Sequence, residues 1–216
     1  MKTNQDYKNA ALDALRGNWA PAVLMTLLYM VIILVCSSEG LFKPSAEAVA
    51  WELSGASFLV SIFILGPISF GYANTCRKLY EQGDADMVSN LFHISFENYW
   101  HVVWTFLLMV IKIFLWTLLL IIPGIVKGLA YAMTPFILRD HPELSASEAI
   151  RRSEQMMQGH KFDLFYLELS FIGWIILACI TLGLGFLWLE PYMETSVAAF
   201  YNDLKGQQVV EAEIVS

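Results

Sequence analysis

Five charged residues stand inside long apolar stretches of this sequence: Lys112, Lys127, Glu168, Glu190 and Glu194. An ionised lysine at the centre of a hydrocarbon layer costs about 2.5–3.5 kcal/mol on insertion scales, so such residues face a protein interior, water or one another. Two kinds of chemistry suit them. One is ion pairing that holds helices together. The other is passage of a proton, an ion or a small polar solute along intramembrane amines and carboxylates. Lys112 and Glu194 fall at similar, middle depth in their helices, which predicts an inward-facing pair, direct or through water. Lys127 and Glu190 lie near the outer ends of theirs and form a second expected pair. Glu168, nearer the cytoplasmic end, competes for Lys112.

No catalytic, cofactor or metal constellation accompanies these charges. The chain has no GxSxG, P-loop, HExxH or GxGxxG pattern, so no enzyme activity, cofactor or metal is expected. His93, His101, His141 and His160 fall near one boundary without ligand spacing and read as interfacial polar residues. Cys36, Cys76 and Cys179 are far apart and lack CxxC spacing, so they read as small packing residues. Gly124 and Gly128 form a GxxxG pair that admits close helix–helix approach, inside one bundle or across a homodimer.

These residues need apolar helices to position them. Of 216 residues, 57% are hydrophobic and 15% charged, and the mean hydropathy is +0.55. The segments 17–38, 53–76 and 169–189 contain no Asp, Glu, Lys or Arg. About 20 helical residues cross a hydrocarbon core. The chain therefore reads as an all-α polytopic membrane bundle, one domain over residues 1–216. The predicted helices cover 19–36, 55–76, 99–122, 125–138, 163–182 and 186–203. Trp19–Cys36 is read as a retained helix. Pro123-Gly124 and Gly183/Gly185 are assigned to tight external turns, giving three hairpins. Two amphipathic helices flank the spans. One covers residues 4–15 within an interfacial segment 1–17, with Asn4 as its cap. The other covers 146–158 within a cytoplasmic segment 139–162, where Ser145-x-x-Glu148 forms a capping box. Residues 206–216 read as a flexible tail.

Six spans place both termini on one side. Ten Lys and Arg then fall on that side, from Lys2 to Lys205, against Lys43 alone opposite. This bias makes both termini cytoplasmic. The net charge of −7 offers no basic surface for nucleic acid. The expected surroundings are a lipid bilayer, with a homo-oligomer or a membrane-protein partner as further possibilities.

Several motifs resemble one family. They are Ala11-Leu12-Asp13-Ala14-Leu15-Arg16-Gly17-Asn18-Trp19; Gly66-Pro67-Ile68 with Gly71; Ile122-Pro123-Gly124-Ile125; Ser145-Ala146-Ser147-Glu148-Ala149-Ile150 with Ser153 and Gly159; and Pro191-Tyr192 with Phe200-Tyr201. Together they resemble the bacterial multi-pass membrane proteins known as the domain of unknown function nine-seven-five. The resemblance implies an integral protein of a bacterial cytoplasmic (inner) membrane and implies no activity. From the residues, a membrane scaffold or accessory, partner-binding protein is the first expectation. The alternative is a small-solute or lipid transporter or channel that uses the intramembrane Lys and Glu.

Overall fold

The computed structural model describes residues 2–41 and 59–215. Its helices are α1 (Asn4–Leu15), α2 (Trp19–Leu41), a π-helical turn (Ser61–Leu65) running into α3 (Gly66–Gln82), α4 (Met87–Glu97), α5 (Tyr99–Leu119), α6 (Ile121–Tyr131), α7 (Thr134–Asp140), α8 (Ala146–Met156), α9 (Lys161–Leu169), α10 (Ile172–Ile180) and α11 (Phe186–Val215). The start of the second predicted span, residues 55–58, lies outside the described residues, as does most of the polar connection before it.

Four segments are long and apolar enough to cross a membrane: Trp19–Cys36, Tyr99–Leu119, Ile121–Asp140 and Lys161–Ile180. The expected second and sixth spans do not reach that measure among the described residues: α3 is 17 residues long, and α11 carries Glu190, Glu194 and Asp203 within residues 186–203. In α3, Gly66, Pro67, Ile68 and the run Phe70–Arg77 are all buried, and α11 packs against α1, α2 and α3. Both helices face protein more than lipid, so they tolerate the buried polar residues Asn74, Thr75, Thr195 and Ser196. The buried hydroxyls donate back into their own helices, Thr75 to the Gly71 carbonyl at 2.7 Å and Thr195 to the Pro191 carbonyl at 2.6 Å. This satisfies groups that no water reaches.

The apolar stretches break near the expected places, but by different residues. Leu120, extended at φ −160° and ψ 144°, separates α5 from α6. Pro123-Gly124 therefore does not form the turn. Pro123 sits in the first turn of α6, where an N–H has no intrahelical partner, and Gly124 donates the first bond, to the Leu120 carbonyl, at 3.3 Å. Gly183 does lie in the α10–α11 turn, at φ +87°, as expected. The two hairpin tips are exposed, with Ile122 at 74% and Leu182 at 96% of full accessibility.

The amphipathic helices differ from expectation in detail. Thr3, not Asn4, caps α1: its hydroxyl accepts from the Asp6 N–H, and the Asp6 carboxylate accepts from the Thr3 N–H at 2.8 Å. The capping box of α8 forms as the sequence specifies, between Ser145 and Glu148. However, α8 does not lie free at an interface. Ile150 packs with Ala130 and Tyr131 and against Leu108, Met109 and Ile113, and Ser153 donates to the Ala130 carbonyl at 2.8 Å. Ala146, Ala149 and Ser153 are buried along α8, which packs against α5, α6 and α7. Beyond Gly206 the chain stays helical to Val215, in a segment rich in helix formers.

Candidate functional site

Helix packing decides which intramembrane charges meet. α11 packs against α1, α2 and α3, whereas α5 packs against α6, α8 and α3. Lys112 on α5 and Glu194 on α11 thus belong to different interfaces, and the expected pair does not form. Lys112 is partly exposed and has no hydrogen bond or ion pair among the described residues. Lys127 is paired, but with Glu154 of α8 and not with Glu190. Its ammonium also lies 5.0 Å from the Trp116 ring centroid and 5.9 Å from that of Tyr131. No local pattern in the sequence joins Glu154 to Lys127, because residues 146–158 read as a cytoplasmic amphipathic helix apart from the spans.

The three glutamates form a group of their own. Glu194 lies within electrostatic reach of Glu190 and Glu168. None of the three makes a hydrogen bond or an ion pair among the described residues. Tyr29, Tyr72 and Cys76 lie within reach of Glu190 and Glu194. Tyr29 stacks on Tyr72 at 4.7 Å, and Tyr72 shares a 2.8 Å hydrogen bond with Thr26, so this acidic region sits where α2, α3 and α11 meet.

The two glycines have different surroundings. A Cβ on Gly124 would lie 2.2 Å from the Thr117 hydroxyl and 3.0 Å from the Thr117 Cα, so this glycine permits the close α5–α6 approach. Nothing lies within 4 Å of a Cβ built on Gly128, so in the monomer it does not serve packing.

The best-connected polar cluster lies elsewhere. Arg77, only 6% exposed, bonds Asp140 at 2.7 Å and Glu81 at 2.8 Å. Asp140 also accepts from Tyr201 at 2.8 Å and Lys205 at 2.7 Å. The Arg77 guanidinium lies over the Tyr201 ring at 4.8 Å. Nearby, Tyr7 donates to Asp203 at 2.7 Å. This cluster clasps α3, α7 and α11, with α1 beside them, at one end of the bundle. Its residues come from segments that the charge bias places on the same side. What marks them in the sequence is position: Arg77 follows one charge-free run, and Asp140 lies two residues past the end of a predicted helix.

Beside the clasp lie two adjoining polar cavities of about 180 and 230 Å³, both lined by Ile94 and Arg139. An apolar cavity of about 370 Å³ is lined by Trp19, Trp174, Trp188 and Tyr192. No group of three or more His, Cys, Asp or Glu suited to a metal occurs among the described residues.

These features define an all-helical protein with several helices apolar enough to span a bilayer, which is the make-up of a membrane protein. Residues 118–208 match the family described as "Protein of unknown function (DUF975)". This is the family that the motifs resemble, and the match covers Lys127, Glu168, Glu190 and Glu194 but not Lys112 or Arg77. No curated protein and no solved structure matches the chain.

Proposed function

We propose that the protein is a membrane-embedded scaffold or accessory subunit that binds a protein partner within the bilayer. The carrying observation is Lys112, an amine about 20 Å from the start and about 10 Å from the end of α5 at 1.5 Å per residue, without an ion-pair partner among the described residues. A carboxylate on a partner's membrane helix would relieve the cost of that charge. The proposed setting is a bacterial cytoplasmic membrane with both termini inside. The support is the bias of basic residues and the gathering of α1, Arg77, Asp140 and Lys205 at one end. Photo-crosslinking from position 111 in native membranes tests the reading. A discrete adduct that weakens at least tenfold in Lys112→Met and persists in Lys112→Arg supports it; no adduct in the wild type overturns it. The group formed by Glu168, Glu190 and Glu194 favours a second reading, proton- or cation-coupled transport. That reading predicts flux in proteoliposomes that Glu194→Gln abolishes.

A further inference from the structure

The cavity of about 180 Å³ at the clasped end is lined by Asn74, Arg77, Lys78, Glu81, Arg139 and Asp140, among others. Asn74 is only 3% exposed. Its amide nitrogen donates to the carbonyls of Phe70 at 3.0 Å and Pro135 at 3.3 Å, which fixes the orientation of the side chain. Its oxygen Oδ1 then remains buried without a partner among the described residues. An unsatisfied buried acceptor costs about 1–3 kcal/mol, and here it belongs to a residue on the wall of a cavity. A ligand donor that reached this oxygen would remove that cost.

The charges around the cleft restrict the ligand further. Four cations, Arg77, Lys78, Arg139 and Lys205, are engaged by four carboxylates, Glu81, Asp84, Glu97 and Asp140. The signs alternate and balance, so an ion of a single sign gains little. A molecule carrying both signs meets a complement for each. Arg139 engages Glu97 through Nη1, and a guanidinium has further N–H donors that suit a phosphate. Glu81, only half engaged at the surface by Arg77, suits an ammonium.

We propose that this cleft binds a zwitterionic phosphate ester bearing a primary ammonium, which donates to Asn74 Oδ1 and Glu81 while the phosphate accepts from Arg139. The ester can be a phosphoethanolamine headgroup of a bilayer lipid or the free soluble compound. An N-trimethylated (choline) headgroup has no N–H to give Asn74 and should be rejected.

The experiment uses the full chain in phosphatidylcholine nanodiscs doped with phosphatidylethanolamine, with lipid retention read by native mass spectrometry and stability by thermal melting. The expected result is at least tenfold preferential retention of phosphatidylethanolamine and a raised melting temperature. The preference should disappear in Asn74→Leu. Should that variant fail to fold, having lost the bond that bridges α3 to Pro135 of α7, Arg139→Gln at the rim provides the second variant, with the same loss expected. Soluble phosphoethanolamine added to pure phosphatidylcholine discs separates the sources: equal stabilisation identifies the free ester, and none identifies the lipid. Equal retention of the two lipids by the wild type, with no effect of the soluble ester, would overturn the proposal and leave Asn74 to a bound water.

Discussion

At the scale of single residues, Arg77 and Asp140 carry the most consequence. Removing one partner of a buried ion pair typically costs about 3–5 kcal/mol. Asp140 retains Lys205 and Tyr201 when Arg77 is lost, so Arg77→Met should fall at the low end of that range, measured by unfolding in mixed micelles. The loss should be far from additive with Asp140→Asn. Asp84 offers a pH readout outside the spans. Hydrogen bonds from Lys78 first, then from the Asp86 N–H and Asn90, hold its carboxyl at about 2, below the ordinary 3.8. Its folded value is the lower one, so this tether contributes fully above about pH 4 and is lost as pH falls through 2. A carbon-13 carboxyl titration should place the midpoint near 2, and Lys78→Met should move it towards 3.8. The sequence shows that intramembrane charges exist but not which ones meet. Lys127 and Glu154 are 27 positions apart on helices whose rotation depends on packing, and no local pattern encodes that rotation.

At the scale of elements, the sequence is most informative where the physics is local. The Ser145–Glu148 capping box, the position of Gly159 just past α8, and the breaks in the two 40-residue apolar stretches are all legible. The role of Gly124 is less so, because Pro-Gly marks a turn in isolation and also suits the first turn of a tightly packed helix. Its surroundings imply a contrast. Gly124→Ala places a methyl against the backbone of Thr117 and should loosen the α5–α6 hairpin, lowering the melting temperature by several degrees. Gly128→Ala meets open space and should leave the monomer's stability within a degree or two. Equal effects of the two substitutions would contradict the observed α5–α6 packing. The count of spans was hard to read for the opposite reason. The polar residues Asn74, Thr75, Thr195 and Ser196 lower the mean hydropathy of α3 and α11, and burial against neighbouring helices is what admits them.

At the scale of the whole molecule, the bundle is bound unevenly. One end is clasped by Arg77, Asp140, Tyr201 and Lys205. At the other, the α5–α6 and α10–α11 tips stand exposed, each closed by its own turn. Impermeant labelling should therefore reach Leu182→Cys from outside the cell and spare Ser147→Cys, in a background without native cysteines. The reverse pattern would invert the proposed topology. The same asymmetry has a mechanical consequence. Membranes differ in thickness by several ångströms, and a helix pair whose length does not match its surroundings tilts at modest cost. A molecule pinned at one end and free at the other resembles a pair of calipers, with its legs set by the local thickness. Spin labels on the two tips should separate or approach as acyl chains are shortened or lengthened, while labels beside the clasp hold their distance.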